Sequence, residues 1–146
     1  MRILLTGASG LLGGKIARLA LERGHEVSSI YREHPTTVGK ATRLDLTNGK
    51  AVTELVHKLR PEVIVHTAAY TDVDGCEGNK ELAWRVNAEA TEHIAIASTE
   101  VNAHLIYVST DYVFDGEKGL YEEGDIPNPQ SDKLLRLHEA QRGGIR

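Results

Sequence analysis

The sequence predicts an α/β chain, a doubly wound parallel sheet with helices on both faces, truncated after about five strands. Three observations carry that expectation. Short β-branched runs alternate with helical patterns, the runs at 63–67 and 105–108 are nearly continuous in apolar residues, and a glycine-rich turn joins the first strand to the first helix. A strand, a crossover and a parallel strand close right-handed, so such alternation assembles most economically into a doubly wound sheet. The chain has 146 residues, a formal net charge of −4 and 26% charged residues, which fits one globular domain. No apolar run approaches the ~18 residues of a membrane span, and the acidic balance leaves no electrostatic footprint for nucleic acid, so neither is an expected partner. Cys76 is the only cysteine, and Met1-Arg2 runs into Ile3-Leu4-Leu5 without a signal-peptide pattern, so a cytoplasmic setting is expected.

Arg2–Thr6 is the first predicted strand. Leu12, Ile16, Leu19 and Ala20 then repeat at helical spacing, with Gly24 as a left-handed stop. Glu26–Tyr31 and residues 41–44 are the second and third strands. Val52, Leu55, Val56 and Leu59 form a helical stripe that Asn48 can cap and Pro61 ends. The fourth strand is 63–67. Across 79–101, Leu82, Ala83, Val86, Ala90, Ile94 and Ala97 share one face of a long helix, with Lys80, Glu81, Glu89 and Glu92 off it. The fifth strand is 104–109. After Gly116 a charged segment holding Gly119, Gly124, Pro127 and Pro129 reads as loop, and 131–146 supports at most a frayed helix.

The turn Thr6-Gly7-Ala8-Ser9-Gly10-Leu11-Leu12-Gly13 follows the first strand and opens the first helix, the setting in which a glycine pattern holds phosphate in a Rossmann-like sheet. Gly7 allows the sharp turn, Gly10 lets backbone approach a pyrophosphate, and Gly13 lets the helix pack on the strand. The helix N-terminus adds unpaired N–H groups and partial positive charge. Gly7, Ser9, Gly10, Leu11, Leu12 and Gly13 are therefore candidate cofactor-binding residues, against a plain turn without ligand. Tyr31-Arg32 ends the second strand with no acidic residue before Glu33. An arginine there suits the 2′-phosphate of NADP(H), with NAD(H) as the alternative cofactor, while a solvated arginine is the competing reading. Asp45-Leu46 closes the third strand, where a cap before the next helix is an equal reading. Ala68-Ala69-Tyr70 ends the fourth strand with small side chains that let backbone pass under a nicotinamide ribose. Thr110 ends the fifth strand at the ligand edge of such sheets, where a threonine is ordinarily a turn former. Cys76 reads as a small filler, Trp84 as helix packing, and the seven histidines lack metal-ligand spacing on one helix face.

The G-x-x-G-x-x-G spacing, with Val65-His66-Thr67-Ala68-Ala69-Tyr70-Thr71-Asp72-Val73-Asp74, Arg85-Val86-Asn87 and Val108-Ser109-Thr110-Asp111-Tyr112-Val113-Phe114-Asp115-Gly116, resembles extended short-chain dehydrogenases/reductases. Within them it resembles the dTDP-4-dehydrorhamnose reductase family and the related methionine adenosyltransferase regulatory β subunit, from Met1 to about Pro129. The resemblance implies an NAD(P)-binding Rossmann domain over 1–129, with Asp45-Leu46 beside the adenine and Asn87 supporting the Ala68-Ala69-Tyr70 edge. It also implies hydride transfer from NADPH to the 4-keto group of a dTDP-sugar. Thr110 is then the catalytic hydroxyl that bonds the sugar oxygen beside the carbonyl, with Asp111 sharing the substrate site. The alternative it implies is a non-catalytic NADP-binding regulatory subunit.

The sequence departs from that family at its Y-x-x-x-K helix, where a tyrosine activated by a lysine one turn away protonates the product alkoxide. No tyrosine follows Tyr121, and Lys133 is the one lysine after Lys118. Residues 130–146 are thus expected to be an atypical tail replacing the catalytic helix and substrate domain, leaving the chain inactive alone. Back-translation offers an origin. With a legitimate codon choice, residues 134–144 read one base later spell x-Y-G-x-T-K-L-(K/R)-G-E, so a frame shift between about Pro129 and Leu134 is expected. A sheet edge left bare by missing strands favours a homodimer or aggregation.

Overall fold

The computed structural model describes residues 1–128, and the expected tail at 130–146 lies outside them. Five strands, β1 (Arg2–Thr6), β2 (Glu26–Tyr31), β3 (Lys40–Arg43), β4 (Val63–His66) and β5 (His104–Tyr107), form one parallel sheet in the order β3-β2-β1-β4-β5. The chain builds outward from β1 to β3, then crosses back to start again at β4, so the order reverses between β1 and β4. The expected strands at 63–67 and 104–109 end one and two residues early, and that at 41–44 sits one residue earlier.

Alternation along β1 divides the core between two faces. Ile3 and Leu5 pack with Ala17, Ala20 and Val27 under helix α1 (Leu11–Glu22), whereas Leu4 packs with Ile64, Val52, Val56, Ile94 and Ala97 under α2 (Gly49–Leu59) and the later helices. The Asn48 side chain caps α2 by accepting the Ala51 N–H at 3.1 Å, and Arg60 ends it in a left-handed conformation at φ 46° before Pro61. After β4 come α3 (Val73–Gly78), α4 (Lys80–Trp84), a π-helical segment at Arg85–Glu89 and α5 (Ala90–Glu100). The single regular helix expected over 79–101 is therefore corrected to two helices joined through a wide turn, in which the Ala90 N–H donates to the Arg85 carbonyl. Ala90, Ile94 and Ala97 are buried as the stripe predicted, but Leu82 and Val86 are only half-buried. No helix among the described residues is long and apolar enough to cross a membrane.

Beyond β5 a 3-10 turn at Asp111–Val113 leads into the expected loop, which closes on itself. The Phe114 and Tyr121 rings stack at 4.3 Å, and the Tyr121 hydroxyl donates to Asp115. That bond, with those from the Glu117 N–H and Asn128, holds the Asp115 carboxyl below the ordinary aspartate range.

His66 ends β4 fully buried between the hydroxyls of Thr6, 2.6 Å from Nδ1, and Thr91, 3.1 Å from Nε2. Burial pushes its pKa from 6.5 down to about 4. The folded chain thus refuses a proton that the unfolded chain accepts between those values, so stability falls as pH drops through that window and levels off below it. The full shift corresponds to up to about 3 kcal/mol. Urea midpoints at pH 7 and 4.5 should show a larger acid loss in the natural chain than in His66→Gln, and parallel losses would remove His66 as the cause.

Candidate functional site

The carboxyl ends of β1 and β4 flank the point where strand order reverses, the place where open parallel sheets form a ligand crevice. Gly7 turns the chain there with φ +73°, and a Cβ on it would lie 2.7 Å from Thr67 Oγ1 and 2.8 Å from the Ala68 nitrogen. A Cβ on Gly13 would lie 2.3 Å from the Gly7 carbonyl oxygen. Both positions exclude a side chain because of the protein's own atoms. Gly10 differs, since its nearest obstacle is the Gly7 oxygen at 3.3 Å, and its other side faces open space. Gly10 is also the N-cap of α1 and offers no side-chain cap, so the first turn presents its N–H groups outward.

The residues of that turn line a cleft of about 450 Å³, within the range of small-molecule sites. The walls bring together every residue that the sequence marks for cofactor binding: Gly7, Ser9, Gly10, Leu11, Leu12 and Gly13 from the turn, Arg32 after β2, Asp45 and Leu46 after β3, and Ala68, Ala69 and Tyr70 after β4. Thr47, Thr67, Leu82 and Val86 also line it, although the sequence reading did not select them. Leu82 and Val86 are one helical turn apart on the stripe assigned to the core, so periodicity found their face but not what it faces.

Charge is balanced at the β2–β3 end. The Arg32 guanidinium lies 2.7 Å from the Glu33 carboxylate, with both side chains substantially exposed. The Asp45 carboxylate accepts the Thr47 N–H at 3.0 Å and its hydroxyl at 2.9 Å. Partial burial favours the neutral acid at Asp45, but these bonds and the fields of Arg32 and Arg85 outweigh it and hold the carboxyl below its ordinary range. The capping of α2 falls to Asn48, which leaves the Asp45–Thr47 turn as a wall of the cleft.

The opposite wall is held through its backbone. Asn87, in the π segment, accepts the Tyr70 N–H at 2.7 Å and donates to the Tyr70 carbonyl at 2.9 Å. The Cys76 thiol donates to that same carbonyl at 3.5 Å. Thr110 and Asp111 do not line the cleft. The Thr110 hydroxyl caps the 3-10 turn, accepting the Tyr112 N–H at 3.3 Å and donating to Asp111 Oδ1 at 3.2 Å. Among the described residues, no group of three or more His, Cys, Asp or Glu side chains is arranged to hold a metal ion.

The family model described as the RmlD substrate binding domain matches residues 1–133. A probable low-salt glycan biosynthesis reductase of Haloferax volcanii is 44% identical over 131 residues, covering 88% of this chain and 44% of the relative. The methionine adenosyltransferase 2 subunit beta of Bos taurus is 36% identical over 129 residues, covering 88% of this chain and 38% of the relative. Among solved structures, a hypothetical dTDP-4-dehydrorhamnose reductase from Sulfolobus tokodaii superposes with a TM-score of 0.91 at 44% identity, covering 100% of this chain and 52% of that one. The dTDP-4-dehydrorhamnose reductase of Bacillus anthracis in complex with NADP gives 0.81 at 31% identity, covering 99% and 50%. The chain spans about half the length of these relatives or less.

Because the Gly13 position is closed by the Gly7 carbonyl, Gly13→Ala should force the turn and α1 apart and destabilise the chain by roughly 1–3 kcal/mol. Chemical denaturation measures this directly, and an unchanged midpoint would show that the turn yields without strain.

Proposed function

The chain belongs to the RmlD substrate binding domain family, and from that premise we propose that it is the NAD(P)-binding part of a dTDP-4-dehydrorhamnose reductase-type enzyme. The observation that carries the proposal is the convergence of all twelve marked residues on one cleft whose Gly10 floor is left open. In this reading NADP(H) is the preferred cofactor and NAD(H) the second. Gly10 and the first turn of α1 would hold the diphosphate, since N–H groups and helix dipole there favour negative charge. Arg32 meets the 2′-phosphate, and because Glu33 already neutralises it in part, the preference for NADP(H) is small. Asp45, Leu46 and Thr47 would border the adenine, and the Ala68-Ala69-Tyr70 wall, bare of bulky groups before Tyr70, would take the nicotinamide ribose.

A bound nicotinamide supplies hydride for reduction of the 4-keto group of a dTDP-sugar. In this reading the Thr110 hydroxyl would turn its hydrogen from Asp111 Oδ1 to the sugar oxygen beside that carbonyl, with Asp111 sharing the substrate site. The alkoxide then needs a proton, and no tyrosine after Tyr121 serves the role that Y-x-x-x-K plays in the family. The chain alone is therefore proposed to bind cofactor without turning over. For residues 130–146 the proposal is an out-of-frame tail, decided by whether the encoding bases of 134–144 read one position later as Y-G-x-T-K-L. The likeness to the β subunit of methionine adenosyltransferase, together with the missing acid, favours one second reading, a non-catalytic NADP-binding regulatory subunit. Mixing the chain with such a synthetase and following the synthetase's kinetics separates the two.

Calorimetry should show NADPH binding that Gly10→Val abolishes while the fold persists. Arg32→Ala should weaken NADPH roughly threefold to tenfold and leave NADH unchanged. Undiminished binding by Gly10→Val would move the site elsewhere, and equal losses for both cofactors would remove Arg32 as a 2′-phosphate ligand.

A further inference from the structure

The Ala68-Ala69-Tyr70 wall poses a mechanical problem. Two alanines have no side chain with which to anchor themselves, and the segment has already left the β4 ladder. Its hold comes instead from polar side chains behind it, and their bonds form one continuous path. The Ala68 N–H donates to Thr6 Oγ1 at 3.3 Å, Thr6 Oγ1 meets His66 Nδ1 at 2.6 Å, and His66 Nε2 meets Thr91 Oγ1 at 3.1 Å. Thr91 Oγ1 donates to the Asn87 carbonyl at 2.9 Å, and the Asn87 side chain closes the path on the Tyr70 N–H and carbonyl.

We propose that His66 is a positioning residue for this wall, the centre of a one-way hydrogen-bond chain that begins on Ala68 and ends on the carbonyl of Asn87, the residue whose side chain holds Tyr70. The proposal rests on the reading of the cleft as the cofactor site. Proton counting sets its direction. The single hydrogen of the Thr91 hydroxyl is committed to Asn87, so the Thr91 oxygen accepts from His66, and Nε2 carries the ring proton. In a neutral ring Nδ1 is then an acceptor, the Thr6 hydroxyl donates to it, and the Thr6 oxygen is left to accept the Ala68 N–H. From the Ala68 N–H to the Asn87 carbonyl every donor faces the same way, so each bond polarises the next. Thr6 and His66 are fully buried and Thr91 is 8% exposed, so water does not substitute for a lost member. Burial also keeps the ring neutral at pH 7, with its pKa at about 4. The π segment fits the same account, since it carries both Asn87 and the carbonyl that receives Thr91.

The test uses the full 146-residue chain, isotopically labelled, with NADPH as probe. In the natural chain without cofactor, the His66 ring should show a protonated Nε2 and a pyridine-like Nδ1. Thr91→Val should speed amide exchange at Ala68 and Tyr70 roughly tenfold and weaken NADPH threefold or more, while Thr91→Ser restores both. A proton on Nδ1, or exchange at Ala68 and Tyr70 unmoved by Thr91→Val, overturns the proposal, and the tautomer measurement needs no variant that must fold. If the exchange pattern appears but the natural chain binds no NADPH, the chain of bonds stands and the assignment of the cleft to cofactor fails.

Discussion

The geometry of the cleft depends on one crowded contact, where the Gly7 turn is pressed between the end of β4 and the start of α1. Neighbouring strands are about 4.8 Å apart, so a chain that reverses direction at the end of β1 does so within reach of its neighbour's backbone. The Thr67 hydroxyl donates to the Thr6 carbonyl at 2.7 Å and ties the two strand ends together just where they would otherwise splay. With that tie in place, Gly7 lies beneath Thr67 and Ala68, and Gly13 lies on the Gly7 carbonyl. The helix is thereby brought close enough to the sheet edge that its N-terminus opens into the crevice rather than into bulk solvent. The opening of the helix N-terminus into the crevice is thus a consequence of packing: a bulkier residue at Gly7 or Gly13 would lift the helix end away from the sheet edge.

Much of the fold was legible in local pattern, and the failures share a cause. Arg2–Thr6 and Glu26–Tyr31 match the expected strands residue for residue, because their flanking turns and β-branched content are local signals. Thr67 has the composition of a strand residue yet leaves the ladder, because its hydroxyl is drawn to Thr6, 61 positions away in sequence. The long helix reads as continuous because Leu82, Val86, Ala90 and Ile94 keep a helical period. The widened segment carries Asn87, which pairs with Tyr70, 17 residues earlier, a contact that no spacing within the helix encodes. Leu82 and Val86 were given to the core on the same period, and the interruption beside them helps to explain why they end half-buried in the cleft wall.

The cleft residues were legible for a different reason. They sit in short loops at strand ends, where composition reflects backbone conformation and ligand approach rather than burial. Gly10 illustrates the distinction. At Gly7 and Gly13 the protein's own atoms explain the glycine, whereas at Gly10 the nearest obstacle would yield by a few tenths of an ångström. The absence of a side chain there is best explained by something approaching from the open side. Arg32 illustrates the limit, because its neighbour Glu33 was visible in the sequence but their 2.7 Å pairing was not.

His66 shows how a buried polar residue can be bound into function without touching a ligand. A leucine at that position would bury well beside Ile64 and Val65, and burying an unpaired polar group costs more than burying an apolar one. Yet a leucine would strand the Thr6 hydroxyl without its acceptor and the Thr91 oxygen without its donor, each inside the core. Removing one member of a satisfied network leaves the rest at the full desolvation cost, so the histidine and both threonines are coupled choices. The network also joins parts that the sheet alone does not join, the end of β1, the end of β4 and the π segment of the following helix. An apolar core would hold these elements at the right distance. Only directed bonds also set the orientation of the Ala68 and Tyr70 amides.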